Sequence, residues 1–283
     1  MTHPPRSIPV TVVIPTRDEA DRLPRCLAAL DWAAEVIVAD AGSRDGSTHV
    51  ARAAGAIVLD CRGLTIGAQR NRAIARASQP WILAVDADEV ASPHLADAIA
   101  AVIAEPAFDA YRVAFRNRYL GREVTRGSWA LEHRVRLFRA TLRYSERSVH
   151  EGVAHDGPTG NVVGGFLHHD SYRDLGHQLA KVLRYADWGA QDLRRRGRRA
   201  GLVTDLVVRP GWRFVRRYVI EGWWREGRRG LVFSAVDAWS GFAKYASLWY
   251  LEEADALRTA AAVRLSEAPE VAVAIEELPA AAS

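Results

Sequence analysis

Apolar positions follow two rhythms along this chain, and the change from one to the other divides it. Up to about residue 105, short β-branched runs alternate with segments in which apolar residues recur every three or four positions. Residues 10–15 read as a first strand, ended by Pro15 because proline cannot donate to a ladder. Leu23, Cys26, Leu27 and Leu30 then recur at helical spacing. Residues 35–40 form a second strand, and a glycine-punctuated turn over 41–47 leads into a helix that stops near Gly55. Residues 56–60 are a third strand and 66–77 a third helix. In 81–89, four apolar residues run into the cluster Asp86-Ala87-Asp88-Glu89, which reads as a buried strand delivering acids at its carboxyl end. Ser92 and Pro93 supply an N-cap and a first-turn proline for a helix through Ile103. Strand and helix in alternation predict a parallel sheet with right-handed crossovers.

Beyond residue 105 the pattern changes. Residues 108–116, 121–125 and 134–139 come closer to strict alternation, which suggests antiparallel additions to the sheet on the side where acceptor-facing loops could be built. Polar clusters follow at 148–151 and 167–172. From Tyr172 onward the chain reads as helical: Leu175, Leu179, Val182, Leu183 and Ala186 share one face. After Pro210, Trp212, Phe214, Tyr218, Trp223 and Trp224 interleave with arginines. A further apolar segment spans 231–251, and the Ala- and Glu-rich remainder reads as helix that frays. The domains expected are 8–170, divided near residue 105, then a helical basic-aromatic extension over 171–253 and a tail over 254–283.

A chain of 283 residues can bury a sizeable core, and 49% apolar with 25% charged residues is ordinary for a folded protein. Its charge of +4 is unevenly placed. Between Arg194 and Arg229 twelve arginines face only Asp205, Glu221 and Glu226, a local excess that asks for an anionic partner. Cys26 and Cys61 lack ligand spacing and read as packing residues in a reducing compartment. Residues 1–9 lack the apolar core of a signal peptide, and no run of about 18 apolar residues occurs. The chain is therefore expected to be neither secreted nor membrane-spanning.

Asp40, Asp86 and Asp88 all fall at strand ends of the expected parallel sheet, where such sheets bind ligands. Side chains two apart on an extended segment point the same way, so Asp86 and Asp88 could face one hard cation, or divide the work between a ribose and a metal. A lone DxD also occurs in solvated turns, and the glycines of 41–47 need do no more than allow a tight turn. Three acids ending strands of one sheet exceed what helix capping requires.

Residues 12–19, 40–48, 67–71 and 86–89, in this order and spacing, resemble the family 2 glycosyltransferases of the GT-A fold. His150-Glu151, His169-Asp170-Ser171-Tyr172 and the Lys244-Tyr245-Ala246 region are similar to the branch containing the lipopolysaccharide core β-glucosyltransferases, which implies a cytoplasmic location, peripheral at the inner face of the plasma membrane. Asp18 and Ser47 depart from the Asn and Thr more usual in the family. The resemblance implies an α/β fold with a mostly parallel sheet flanked by helices and a carboxy-terminal helical extension, the 8–170 domain comprising a nucleotide-binding part over 8–105 and an acceptor-side part over 106–170. It further implies that Pro15, Thr16, Glu19 and Asp40 hold the nucleoside and that Arg70 and Asn71 lie near the diphosphate. Asp86 would reach the ribose or a metal-bound water, and Asp88 and His169 would bind Mg²⁺ or Mn²⁺, with His168 the neighbouring alternative. Glu151 would be the base that deprotonates the acceptor, with Glu89 the runner-up.

The expected activity is inverting transfer of a hexose from a nucleotide-diphosphate sugar, UDP-linked by analogy, to a lipid-linked or cell-envelope glycan acceptor. A non-catalytic sugar-nucleotide-binding protein on the same fold is the alternative. The basic aromatic segment reads as an amphipathic surface for an anionic membrane, with a self-buried helical subdomain or homodimer interface as the other reading. Its aromatics fall at helical spacing without any nucleic-acid-binding module, so no nucleic-acid partner is expected.

Overall fold

A computed structural model describes residues 7–130, 132–145 and 152–267. It forms two compact units, Met1–Leu175 and Gly176–Ser283. The first begins with the expected alternation: β1 (Ile8–Thr16), α1 (Leu23–Ala28), β2 (Ala33–Asp40), α2 (Ser47–Ala53), β3 (Ile57–Asp60), α3 (Ile66–Arg76) and β4 (Trp81–Ala84). It continues through β5 (Glu89–Ala91), α4 (Leu95–Ala104), β6 (Ala110–Tyr119), β7 (Arg122–Glu123), β8 (Glu132–Arg139), β9 (Arg143–Tyr144), β10 (Val153–Ala154) and β11 (Gly160–Asp170).

Among the described residues the main sheet runs β3-β2-β1-β4-β8-β6-β11-β5, with β7 beside β6. The half built from β3, β2, β1 and β4 is parallel throughout. β8 then joins antiparallel to both β4 and β6, and β11 pairs parallel with β6 and antiparallel with β5. β7 and β8, which pair antiparallel, both follow residue 105, as the shift toward alternation predicts.

Period-two side-chain direction splits the core into two layers. Val10, Val12 and Ile14 of β1 pack with Leu23, Cys26 and Leu27 of α1 and Leu95 and Ile99 of α4. Val13 faces the other way, with Ile37 and Ile82, against Ala73 and Ile74 of α3. Apolar burial on both faces is why these strands read as continuous β-branched runs.

Two local expectations are corrected. The strand expected over 81–89 ends at Ala84, and Asp86 to Glu89 form a turn closed by Glu89 N–H donating to Asp86 O at 2.9 Å. The pairing of β4 with β1 ends at Ala84, and the chain turns so that Glu89 opens β5 against β11. Ser92 does not cap the following helix, which starts at Leu95 behind His94. Its hydroxyl instead accepts from Phe166 N–H at 3.1 Å, tying that loop to β11.

The second unit is helical. α5 (Leu175–Arg195) is followed by a π-type turn at Thr204–Val208, α6 (Arg209–Val215), a second π-type turn at Arg216–Ile220, a 3₁₀ turn at Trp223–Glu226 and α7 (Arg228–Glu267). Buried Asp205 is paired with Arg198 and Arg209, and half-buried Asp237 with Arg213 and Arg217. Among the described residues no helix is long and apolar enough to cross a membrane.

Candidate active site

The loops after β1 and β2 are knitted together by their own short polar side chains. Asp18 adopts a left-handed φ of 54°, a conformation that Asp and Asn tolerate better than other side chains. Its carboxylate accepts from Arg44 N–H at 2.8 Å, while its own N–H donates to Ser43 Oγ at 2.9 Å. The position needs only an acceptor, so Asp serves there as Asn would. Glu19 N–H donates to Ser47 Oγ, and Ala20 N–H to Asp45.

Pro15 and Thr16 end β1 in register with Ala39 and Asp40 of β2. The Asp40 carboxylate folds onto the turn that follows, accepting from Gly42 N–H at 2.9 Å, Ser43 N–H at 3.0 Å and the Ser43 hydroxyl. An open cleft of about 460 Å³ passes Asp40, Ser43, Arg44 and Arg62. A larger groove of about 800 Å³ runs along α1 and α2 and holds none of the strand-end acids.

Asp86 receives two guanidiniums, Arg70 Nη2 at 2.5 Å and Arg136 Nη2 at 2.9 Å. Arg136 also reaches Glu89 Oε1 at 2.6 Å, and Glu89 Oε2 accepts from Asp86 N–H at 2.9 Å. Burial alone would raise the Asp86 carboxyl, but Arg136 and Arg70 outweigh it and hold the group well below the usual carboxylate range. Glu89 is fully buried, and that burial, only partly opposed by Arg136, pushes it up to about 7. The environment thus separates two adjacent acids: one stays charged and the other holds its proton to near neutrality.

Asp88 faces a different set. Its Oδ2 lies 3.6 Å from Arg22 Nη1 and 3.6 Å from His169 Nε2. Asp88, Glu89 and His169 each offer a ligand atom within 4.8 Å of the others. Two carboxylates and an imidazole suit a hard or borderline divalent cation, and a 3.6 Å gap fits two ligands of one ion bonded at about 2.0–2.2 Å. His169 comes from β11, in register with Glu89 of β5 and Asn117 of β6. His168 sits one position away, on the opposite face by strand alternation, with its ring edge-on to Phe166.

Of the residues expected at the diphosphate, Arg70 lies on Asp86. Both amide atoms of Asn71 are engaged by the Tyr144 backbone, at 3.0 and 2.8 Å. Glu19 is held by Arg173 Nη2 at 2.7 Å; burial raises its carboxyl against the pull of Arg173 and Arg22. His150 and Glu151 lie outside the described residues.

Four residues were not singled out from the sequence: Arg22, Asn117, Arg136 and Arg173. Arg22 is 6% exposed beside Asp88, and Arg136 is the shared counter-ion of Asp86 and Glu89. Arg173 clamps Glu19 and Asp21 just after the His169-Asp170-Ser171-Tyr172 motif. In a chain with 38 Lys and Arg, a single arginine carries little signal. One signal was legible: Asn117 is the polar residue on a buried face otherwise made of Tyr111, Val113, Phe115 and Tyr119.

The family model described as Glycosyl transferase family 2 matches residues 11–156, just over half of the chain. The lipopolysaccharide core biosynthesis glycosyltransferase LpsC of Rhizobium meliloti (strain 1021) is 27% identical over 256 residues, spanning 86% of this chain and 92% of that protein. An uncharacterized glycosyltransferase of Rickettsia typhi, RT0209, is 25% identical over 84% of this chain and 86% of its own. Among solved structures, S. aureus TarS 1–349 aligns over 88% of this chain and 91% of its own, with a TM-score of 0.44 and 14% identity. Glucosyl-3-phosphoglycerate synthase of Mycobacterium tuberculosis, solved with Mn²⁺, uridine diphosphate and glucosyl-3-phosphoglycerate, aligns over 39% of this chain and 44% of its own, at a TM-score of 0.34 and 20% identity.

Proposed function

The chain belongs to glycosyl transferase family 2, and from that premise we propose a specific reaction: transfer of a hexose from a UDP-linked donor to a lipid-linked or cell-envelope glycan acceptor, with inversion at the anomeric carbon and dependence on a divalent cation. The observation that carries this reading is the cluster of Asp88, Glu89 and His169 set beside the guanidiniums of Arg22, Arg70 and Arg136. Those three guanidiniums outnumber Asp86 and Asp88, and Glu89, pushed up to about 7 by its burial, carries only part of a negative charge near neutrality. The pocket therefore favours a dianionic diphosphate.

Asp88 and His169 would hold Mg²⁺ or Mn²⁺, the imidazole favouring Mn²⁺. The bound ion would act as a Lewis acid on the departing diphosphate. Arg136 and Arg70 keep Asp86 ionised, so it accepts a hydrogen bond from a ribose hydroxyl or a metal-bound water. Asp40, Pro15, Thr16 and Glu19 line the nucleoside side, and Arg70 supplies positive charge near the leaving group. Asn71 supports this wall by fixing Tyr144, whose ring lies 4.8 Å from the Arg70 guanidinium. Glu151 is assigned as the base that takes the acceptor proton as the hydroxyl attacks the anomeric carbon. The similarity to a protein named for lipopolysaccharide core biosynthesis supports an envelope glycan acceptor.

The second unit carries the proposed approach to that acceptor. Val203, Val207, Val208, Trp212, Val215, Val219 and Ile220, spaced by one, three or four positions, are exposed, Val203 at 70% and Trp212 at 59%. Together with the excess of arginines, such a surface fits the interface of an anionic membrane. Release of UDP from UDP-hexoses, measured with and without glycan acceptors, tests the reaction. Glu151→Gln should bind donor normally while turnover falls about 10²–10⁴-fold. Unchanged turnover would remove Glu151 from the role.

A further inference from the structure

The buried face of β6 should cost least if it were apolar throughout, because an amide is expensive to bury and Asn is a poor strand former. Asn117 nonetheless sits there, fully buried, in register with His169 across the parallel pairing with β11. Both of its amide hydrogens and its amide oxygen have partners. Nδ2 donates to Trp129 O at 2.7 Å and faces Glu132 Oε2 at 3.3 Å, and Oδ1 lies 2.8 Å from His169 Nδ1. Turning the amide over would set Oδ1 against a carbonyl oxygen and a carboxylate, so its orientation is determined by its surroundings.

An oxygen facing Nδ1 can only accept, so Nδ1 must carry the hydrogen. In the neutral imidazole this leaves the lone pair on Nε2, the atom 3.6 Å from Asp88 Oδ2. The Ser171 hydroxyl lies 3.1 Å from Nε2 and can donate to that lone pair. We propose that Asn117 is a positioning residue: it fixes His169 as the Nδ1–H tautomer and so presets Nε2 as a ligand atom beside Asp88. This rests on the divalent-cation reading of Asp88 and His169. The groups that set it are drawn from three segments: the side chain of Asn117 from β6, those of His169 and Ser171 from the end of β11 and the residue following it, and the Trp129 carbonyl with the Glu132 carboxylate from the loop before β8 and its first residue.

Long-range ¹H–¹⁵N correlation spectra of the metal-free protein at pH 8.5, with His169→Gln to assign the ring, read the tautomer directly. The expected form carries its proton on Nδ1. A proton on Nε2, as the other tautomer or as imidazolium, would overturn the proposal. Manganese titration followed by electron paramagnetic resonance supplies the second readout. Asn117→Leu should weaken Mn²⁺ binding about 10–100-fold, the usual cost of losing such an outer partner. Asn117→Asp keeps an acceptor and should retain the Nδ1–H form. Wild-type Mn²⁺ affinity in a folded Asn117→Leu protein would refute the role, as would an Nε2–H ring in Asn117→Asp. Failure of the wild type to bind Mn²⁺ would instead remove the cation reading, and the metal-free spectra would still decide what Asn117 does.

Discussion

Asp86 and Asp88 stand two positions apart yet face different partners, because the turn between them sends one toward Arg70 and Arg136 and the other toward Arg22 and His169. Arg136 is the hinge of this arrangement, being 4% exposed and shared by two acids. Arg136→Leu would strand Asp86 and Glu89 without their common counter-ion and should destabilise the protein by about 3–5 kcal/mol in denaturant unfolding. Glu89 gives a pH signature of definite sign. Its folded-state value of about 7 lies above its ordinary one, so the stability it adds is full below about 4.5 and is lost as pH rises through about 7. The advantage of wild type over Glu89→Gln in melting temperature should therefore shrink between pH 5 and 8; an advantage that grows with pH would contradict the protonated Glu89. The paired aspartates were legible in the sequence because their spacing is local. Arg22, Arg136 and Arg173 were not, since each meets its acid only through strand register or a returning loop, which no neighbouring residue announces.

Elements whose pattern is local matched their reading most closely. β-branched runs gave β1 and β2, a four-residue apolar run gave β4, and the alternating run after residue 105 gave β6 and β8. What the pattern could not supply was sheet order. The placement of β11 between β6 and β5 is what brings His169 to Glu89 and Asn117, and it depends on pairings made far along the chain. Close approaches between elements were equally hidden. A Cβ at Gly165 of β11 would stand 2.5 Å from Leu95 Cα, and one at Gly230 of α7 would stand against the Trp223 carbonyl oxygen. Gly165→Ala and Gly230→Ala should each cost at least about 1–3 kcal/mol, as overpacking does. Gly211 of α6 has open space around its Cβ direction, so Gly211→Ala should stabilise by about 0.5–1 kcal/mol. Thermal unfolding of the three variants checks the contrast, and a stabilised Gly230→Ala would contradict the packing of that turn.

At the scale of the whole molecule, the strand-end acids and arginines of the site all belong to the unit Met1–Leu175, while the arginine excess and the exposed Val/Trp series belong to Gly176–Ser283. Both features were visible in composition and spacing, but exposure is what distinguishes an outward apolar series from a self-buried one. Flotation with anionic phosphatidylglycerol vesicles should recover the wild-type chain, and Trp212→Ser with Val219→Ser should lower recovery several-fold. Equal flotation, with a loss of self-association instead, would assign the surface to a homodimer. The central claim is that Asp88 and His169 grip a sugar nucleotide through a divalent cation. Its most direct test is calorimetric titration of the folded protein with UDP-hexoses, with and without Mn²⁺. Tight uptake with Mn²⁺ that weakens at least about tenfold without the ion, and likewise in Asp88→Asn, is the predicted result; uptake indifferent to both the ion and Asp88, or no uptake of any donor, would contradict it.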